Sequence, residues 1–137
     1  MASETFEAFL RGCRHEPNGI LKRFALLCAQ GAQDSRALAR LLTGAAPHAS
    51  AASLEHGLNV LARLDTRRAL QAFAGPQLHL FAGADGLVPG EVASELLALL
   101  PDVEVGLVEQ ASHALLLEAP HELAAAIQAF LHESGDD

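Results

Sequence analysis

The sequence contains no Trp and no Tyr, and its six Phe are the only aromatic residues. Leu and Ala dominate in their place, and because both are strong helix formers, the composition favours helices. Basic residues are also few: nine Lys and Arg stand against seventeen Asp and Glu, which gives a formal net charge of −8. So acidic a chain is a poor general binder of nucleic acid, and no nucleic-acid partner is expected. Since 50% of the residues are hydrophobic, the chain can fold around a core.

Cysteine and long apolar runs are scarce as well. The two cysteines, Cys13 and Cys28, lie in separate helical patterns without a Cys-x-x-Cys spacing, which argues against a disulfide framework or a zinc site. We expect two buried free thiols and no metal. No apolar run approaches the ~18 residues that a membrane helix needs, and no secretory signal pattern is visible. The expectation is a cytoplasmic protein with no membrane partner.

The first 65 residues predict helices only. Apolar residues recur at helical spacing through four segments, each with a residue that suits a helix boundary. Ser, Asp and Pro favour helix starts, whereas Gly favours helix ends. A loop of small residues at 44–52 separates the third helix from the fourth. The residues that begin or end these helices are Ser3, Pro17, Gly31, Asp34 or Ser35, Gly44 and Ser53.

The second half alternates strands and helices. After a short helix within 66–75, the apolar runs 77–82 and 103–108 predict two strands, and a helix at 90–100 connects them. This order predicts an α/β class, in which two strands make only an incomplete parallel sheet. The missing strands must come from an N-terminal half or another chain, and the open apolar faces predict self-association. A last helix starts at Pro120, with a core face of Leu123, Ile127, Phe130 and Leu131.

Two polar side chains follow the ends of the predicted strands. Asp85 lies four residues beyond Phe81, and His113 lies five residues beyond Val108. Because the carboxyl ends of parallel strands meet at one edge of a sheet, we expect the carboxylate and the imidazole to meet there. They would be the acid and the base of a Ser-His-Asp triad. The nucleophile is lacking: the sequence has no Gly-x-Ser-x-Gly elbow, and no serine, Ser112 included, has that context.

These two loops carry a family resemblance. Leu-Phe-Ala-Gly-Ala-Asp-Gly-Leu-Val-Pro, residues 80–89, resembles the acid loop of the α/β-hydrolase superfamily. Ala-Ser-His-Ala, residues 111–114, resembles its histidine loop, and the helix from Pro120 resembles its closing helix. The resemblance implies that Asp85 is the triad acid and His113 the general base.

The helical half and the Asp-Gly-Leu-Val-Pro string are similar, more narrowly, to the biotin-pathway esterases that demethylate pimeloyl-acyl-carrier-protein methyl ester. Arg23, Gly31, Arg36 and Arg40 fit the pattern of that family's cap, although Gly19 stands where the family has a further arginine. The resemblance implies that Arg23, Arg36 and Arg40 contact an acidic acyl-carrier protein and its phosphopantetheine arm.

The resemblance also implies a division of the chain and an activity. Residues 1–65 would form a four-helix cap, or lid, and residues 66–137 a C-terminal segment of the α/β-hydrolase core. The implied activity is that of a carboxylic ester hydrolase of the serine esterase type, which needs no metal or organic cofactor. In the family, the oxyanion-hole loop and the serine elbow lie in an N-terminal half. We therefore expect the chain to be inactive alone and to need that half as a partner.

Two alternatives remain open at the level of sequence. The chain could be a non-catalytic binding module that keeps the cap surface for contact with a partner. It could also belong to an α/β-hydrolase with other chemistry, such as a lactonase, a dehalogenase or a C–C hydrolase, and the residue at the elbow would discriminate these. The substrate could be an acyl-carrier-protein ester or a small ester, so the acyl chain and the alcohol stay open.

Overall fold

The computed structural model describes residues 3–45, 50–100 and 102–135. The middle of the predicted loop at 44–52, residues 46–49, and the side-chain cap predicted at Ser3 lie outside the described residues. In chain order, the elements are α1 (Ser3–His15), α2 (Pro17–Cys28), α3 (Ser35–Ala45), α4 (Ala51–Arg63), α5 (Arg67–Ala72), β1 (Leu78–Ala82), α6 (Glu91–Leu99), β2 (Glu104–Val108), α7 (Leu115–Glu118) and α8 (Pro120–Gly135).

Particular residues account for where the first helices begin. Pro17 occupies the first turn of α2, where a backbone N–H would have no helical partner. Asp34 Oδ1 accepts a hydrogen bond from the Ala37 N–H at 2.9 Å, so Asp34 caps α3, as one of the two predicted alternatives. The fourth helix begins earlier than predicted, because the hydroxyl of Ser50 accepts the capping bond from the Ser53 N–H at 3.1 Å.

The helices α1 to α4 pack as one group, in which α1 contacts α2 and α4, and α2 contacts α3. Phe9, Cys13 and Ile20 form a buried cluster, against which leucines of α4 pack. Phe9 also meets Phe24 edge to face, with 5.8 Å between the ring centroids, a geometry that aromatic pairs favour. The predicted assignment of residues 1–65 to a cap and of the rest to a core stays a prediction.

The two predicted strands form a parallel pair. β1 and β2 align from Leu78 opposite Glu104 to Ala82 opposite Val108, and α6 lies between them in the chain. Within the described residues the sheet has these two strands alone. The prediction of an incomplete parallel sheet in an α/β arrangement is therefore confirmed.

The predicted core face of α8 is wrong for two of its residues. Leu123 is buried, but Ile127 and Leu131 are 43% and 62% exposed. Leu107 on β2 is 58% exposed as well. Their spacing is that of a core face, but no element in the described part of the chain covers these side chains. The predicted self-association, which rested on such open faces, stays a prediction.

Cys13 and Cys28 are both free and buried, as predicted, and burial raises the pKa of each thiol. Across residues 3–45, 50–100 and 102–135, no helix is both long and apolar enough to cross a membrane. The same ranges contain no group of three or more His, Cys, Asp or Glu that could hold a metal ion.

Candidate active site

The acid loop and the histidine loop leave the sheet at the same edge. Ala82 and Val108, the last residues of β1 and β2, are register partners, so the residues that follow them start side by side. The Gly83 N–H donates to the Val108 carbonyl at 2.9 Å, and the Ala84 N–H donates to the Ala111 carbonyl at 2.9 Å. These bonds continue the parallel pairing beyond the strands and tie one loop to the other.

Close backbone approach explains why a glycine stands at the start of the acid loop. A Cβ atom built on Gly83 would collide with the carbonyl oxygen of Glu109 and lie 2.8 Å from its Cα. Both of these are backbone atoms, which cannot rotate away. A side chain at this position would therefore push the two loops apart.

Asp85 uses one carboxylate oxygen for its own loop and the other for His113. Its Oδ1 accepts hydrogen bonds from the N–H groups of Leu87, at 2.7 Å, and Val88, at 3.0 Å. Its Oδ2 lies 2.9 Å from His113 Nδ1. The Asp85 side chain is 7% exposed, whereas that of His113 is 39% exposed. The expected meeting of the carboxylate and the imidazole is therefore observed, with the imidazole open to solvent.

The electrostatics of this pair fix the direction of the hydrogen bond. Burial raises the pKa of Asp85, but the hydrogen bonds from Val88, His113 and Leu87 outweigh it and leave the pKa below its ordinary value. The carboxylate is therefore ionised at neutral pH and can only accept, so His113 Nδ1 donates. The neutral imidazole then carries a lone pair on Nε2, which is the form that a general base needs.

The Asp85 contribution to stability should depend on pH. Its lowered pKa in the folded chain means that the contribution is present above about pH 4, the ordinary value for Asp, and is lost as the pH falls through the folded pKa. Urea unfolding of the wild type and of Asp85→Asn measures this, and the difference in free energy of unfolding should shrink as the pH falls below about 4. A difference that grew as the pH fell below about 4 would contradict the lowered pKa.

Curated relatives align with almost the whole chain. It is 34% identical over 137 residues to the biotin biosynthesis bifunctional protein BioHC of Teredinibacter turnerae, covering 97% of this chain and 24% of that protein. It is 36% identical over 129 residues to the pimeloyl-[acyl-carrier protein] methyl ester esterase of Cronobacter sakazakii, covering 92% of this chain and 50% of that protein. The chain thus spans half the length of the esterase and about a quarter of the bifunctional protein. No family model matches the chain.

Solved structures share the fold. The bromoperoxidase from Bacillus anthracis superposes with a TM-score of 0.83 at 21% identity, over 96% of this chain and 50% of its own. The esterase EaEST from Exiguobacterium antarcticum superposes with a TM-score of 0.79 at 16% identity, over 96% of this chain and 49% of its own. The chain has the α/β-hydrolase fold. It corresponds to the C-terminal half of that fold, as residues 80–89 and 111–114 predicted.

Two of the three candidate arginines lie together. Arg36 and Arg40, one turn apart on α3, line a groove of about 620 Å³ with Lys22 and Leu26 of α2. Arg23 is exposed on α2 but is not among the residues that line this groove. Within the described residues, none of the three arginines takes part in an ion pair. We call the cleft between α2 and α3 the basic groove.

Sequence reasoning missed a short helix that follows His113. α7 holds Glu118, whose carboxylate accepts hydrogen bonds from the backbone N–H of Ser112, at 2.8 Å, and from its hydroxyl. Ser112 is 0% exposed. Its hydroxyl is therefore engaged and shielded, which agrees with its lack of elbow context in the sequence. A helix of four residues is too short to leave a periodic pattern in the sequence.

Proposed function

We propose that this chain supplies the acid and the base of a carboxylic ester hydrolase that works through a serine acyl-enzyme. The observation that carries the proposal is the 2.9 Å contact between His113 Nδ1 and Asp85 Oδ2 at the common edge of two parallel strands. The relatives from T. turnerae and C. sakazakii support it, since the second is a methyl ester esterase and the first a bifunctional biotin biosynthesis protein.

The chemistry follows from the direction of that hydrogen bond. His113 Nε2 takes the proton of the serine hydroxyl as its oxygen attacks the ester carbonyl, while Asp85 stabilises the imidazolium. The imidazolium then returns the proton to the leaving alcohol, and the acyl group stays on the serine. A water molecule, deprotonated by the same imidazole, attacks the acyl-enzyme, and the products are a carboxylic acid and the free serine.

The serine and the oxyanion donors come from outside these 137 residues, which contain no Gly-x-Ser-x-Gly sequence. An acid and a base without a nucleophile and an oxyanion hole contribute little to acyl transfer. The chain alone is therefore proposed to be inactive, and a second segment completes the site. The test is ester turnover by a chimera that joins the N-terminal half of the C. sakazakii esterase to this chain, with variants at Asp85 and His113.

A methyl ester on an acyl-carrier protein is the proposed substrate. The name of the C. sakazakii relative supports this choice, and so does the basic groove, where Lys22, Arg36 and Arg40 offer three positive charges to an acidic partner. An apolar cavity of about 250 Å³ between α1, α2 and α4 offers space for an acyl chain. It is lined mainly by apolar side chains that include Phe9, Ile20, Phe24, Leu54, Leu58 and Leu61.

Removing the charges of the basic groove should weaken carrier-protein binding. We expect Arg36→Ala with Arg40→Ala to lower the affinity of this chain for an acidic acyl-carrier protein on the order of tenfold at low salt, because two of its three cations are gone. Fluorescence-anisotropy titrations with a labelled carrier protein at two salt concentrations measure this. The wild type should lose affinity as salt rises and approach the variant.

A control arginine distinguishes the effect of the charges in the basic groove from the effect of the net charge of the chain. Arg68 is exposed on α5 and does not line the groove, so Arg68→Ala should bind like the wild type. Arg23→Ala tests the predicted contact of Arg23 independently. Binding that is insensitive to salt in every variant would remove the arginines from the proposed function.

A second candidate function is binding of an acidic partner without catalysis, which the uncompensated charge of the basic groove favours. If this function is the right one, the chain should bind the carrier protein. The chimera should then fold but turn over no ester. Other hydrolase chemistry on the same fold, such as that of a lactonase, a dehalogenase or a C–C hydrolase, would appear as turnover of those substrates in preference to methyl esters.

A further inference from the structure

The backbone on both sides of His113 is held by a compact set of hydrogen bonds. The N–H of Ser112 donates to Glu118 Oε2 at 2.8 Å, and the Ser112 hydroxyl donates to the same oxygen. The N–H of Ala114 donates to the Ser112 hydroxyl oxygen at 3.3 Å. The carbonyl of Ala111 accepts the bond from the acid loop. The residues before and after His113 are therefore fixed, and the direction in which its side chain leaves the backbone is fixed with them.

Burial makes this arrangement depend on a single carboxylate. Ser112 is 0% exposed, so its N–H and hydroxyl cannot turn to water if the acceptor is lost. Glu118 lies at the end of α7, beyond the histidine loop, and reaches back to it. The hydrogen bond to Asp85 alone does not fix the backbone from which His113 projects, so the orientation of the imidazole rests on these neighbours.

We propose that Glu118 is a positioning residue, whose carboxylate acts through Ser112 to hold the His113 imidazole in line with Asp85. The inference rests on the proposed function only in treating His113 as the base. The contact between Glu118 and Ser112 and that between His113 and Asp85 stand in the structure independently of any activity.

The Nδ1 proton of His113 reports directly on this alignment. In the ¹⁵N-labelled 137-residue chain, the resonance is assigned by its loss in His113→Ala, and its rate of exchange with solvent measures how often the bond to Asp85 opens. Glu118→Ala should raise that exchange rate on the order of tenfold, the effect of one net hydrogen bond on an equilibrium. Glu118→Gln should restore the slow exchange, because its amide oxygen can accept both bonds from Ser112.

Rescue by Gln separates positioning from a direct effect of charge. If Glu118 acted on the imidazolium through its negative charge, the Gln variant would behave like the Ala variant, and the proposal would be overturned. Glu109→Ala is the matched control, since Glu109 is an exposed residue at the start of the same loop whose side chain makes no hydrogen bond within the described residues. It should exchange like the wild type.

A second variant covers the case in which Glu118→Ala fails to fold. Ser112→Ala keeps the backbone bond to Glu118 but removes the hydroxyl that also serves Ala114, so its exchange rate should lie between those of the wild type and Glu118→Ala. Circular dichroism checks that each variant is folded. A folded Glu118→Ala or Ser112→Ala chain with wild-type exchange would overturn the proposal. Neither result depends on esterase turnover, so this inference and the proposed function can fail separately.

Discussion

Replacing His113 by Ala should lower the kcat of the esterase chimera by about 10⁶-fold, and Asp85→Asn should lower it by about 10⁴-fold. The chimera joins the N-terminal half of the C. sakazakii esterase, expected to carry the serine elbow, to this chain. Removal of His113 leaves the serine without a base. Hydrolysis of p-nitrophenyl esters under saturating conditions gives kcat, and quantitative amino-acid analysis gives the enzyme concentration.

The Asp85→Asn variant has a specific physical reason for failing. The N–H groups of Leu87 and Val88 require an acceptor, so the amide oxygen of Asn takes the place of Oδ1. Its NH₂ group then faces His113 Nδ1, which must accept. The imidazole is driven to the tautomer with its proton on Nε2, and that nitrogen can no longer take a proton from the serine.

Matched controls define what this experiment excludes. His132 is an exposed histidine in the last turn of α8, and His132→Ala should leave kcat unchanged. The isolated 137-residue chain should give no turnover above background. Wild-type kcat in both His113→Ala and Asp85→Asn would remove the acid and base roles, even if the chimera remained a good esterase.

The pairing of Asp85 and His113 could be predicted from local sequence because each residue follows a strand that local sequence also marks. Val103 to Val108 is rich in β-branched residues, and turn residues border both strands. Once two strands are parallel, their carboxyl ends share an edge, and loops of four or five residues leave little freedom. The meeting point thus follows from the topology of the fold rather than from a chance match of motifs.

Features that depend on distant neighbours could not be predicted in this way. Ser50 and Ser53 are equally good caps by residue type, and only the folded chain shows that Ser50 is used. Lys22 and Arg23 are adjacent in the sequence, yet Lys22 lines the basic groove and Arg23 does not. The reason is that consecutive helical residues point in directions about 100° apart. Ile127 and Leu131 have the helical spacing of a buried face, yet both are exposed. Spacing alone does not indicate whether the surface that would cover such a face belongs to the same chain.

Gly31→Ala should lower the free energy of unfolding by about 3 kcal/mol, because two penalties coincide at this turn. Gly31 follows α2 with a φ of +91°, in the left-handed region that a side chain disfavours. A Cβ built there would also lie 2.5 Å from the carbonyl oxygen of Ala84 and 2.6 Å from its Cβ, so the acid loop would have to move. Urea unfolding followed by circular dichroism measures the change.

A second glycine, Gly57, supplies a control for which the expected change in the free energy of unfolding is opposite. Gly57 lies inside α4, where an added Cβ would have no atom within 4 Å, so Gly57→Ala should instead raise the free energy of unfolding by about 0.5–1 kcal/mol. Since Ala84 also donates to Ala111, a shift at Gly31 should speed exchange of the His113 Nδ1 proton, whereas the Gly57 variant should not. Equal stability of the two variants would contradict the close contact between the turn after α2 and Ala84 of the acid loop. Any support that the helical half gives to Asp85 and His113 would then come from a different contact.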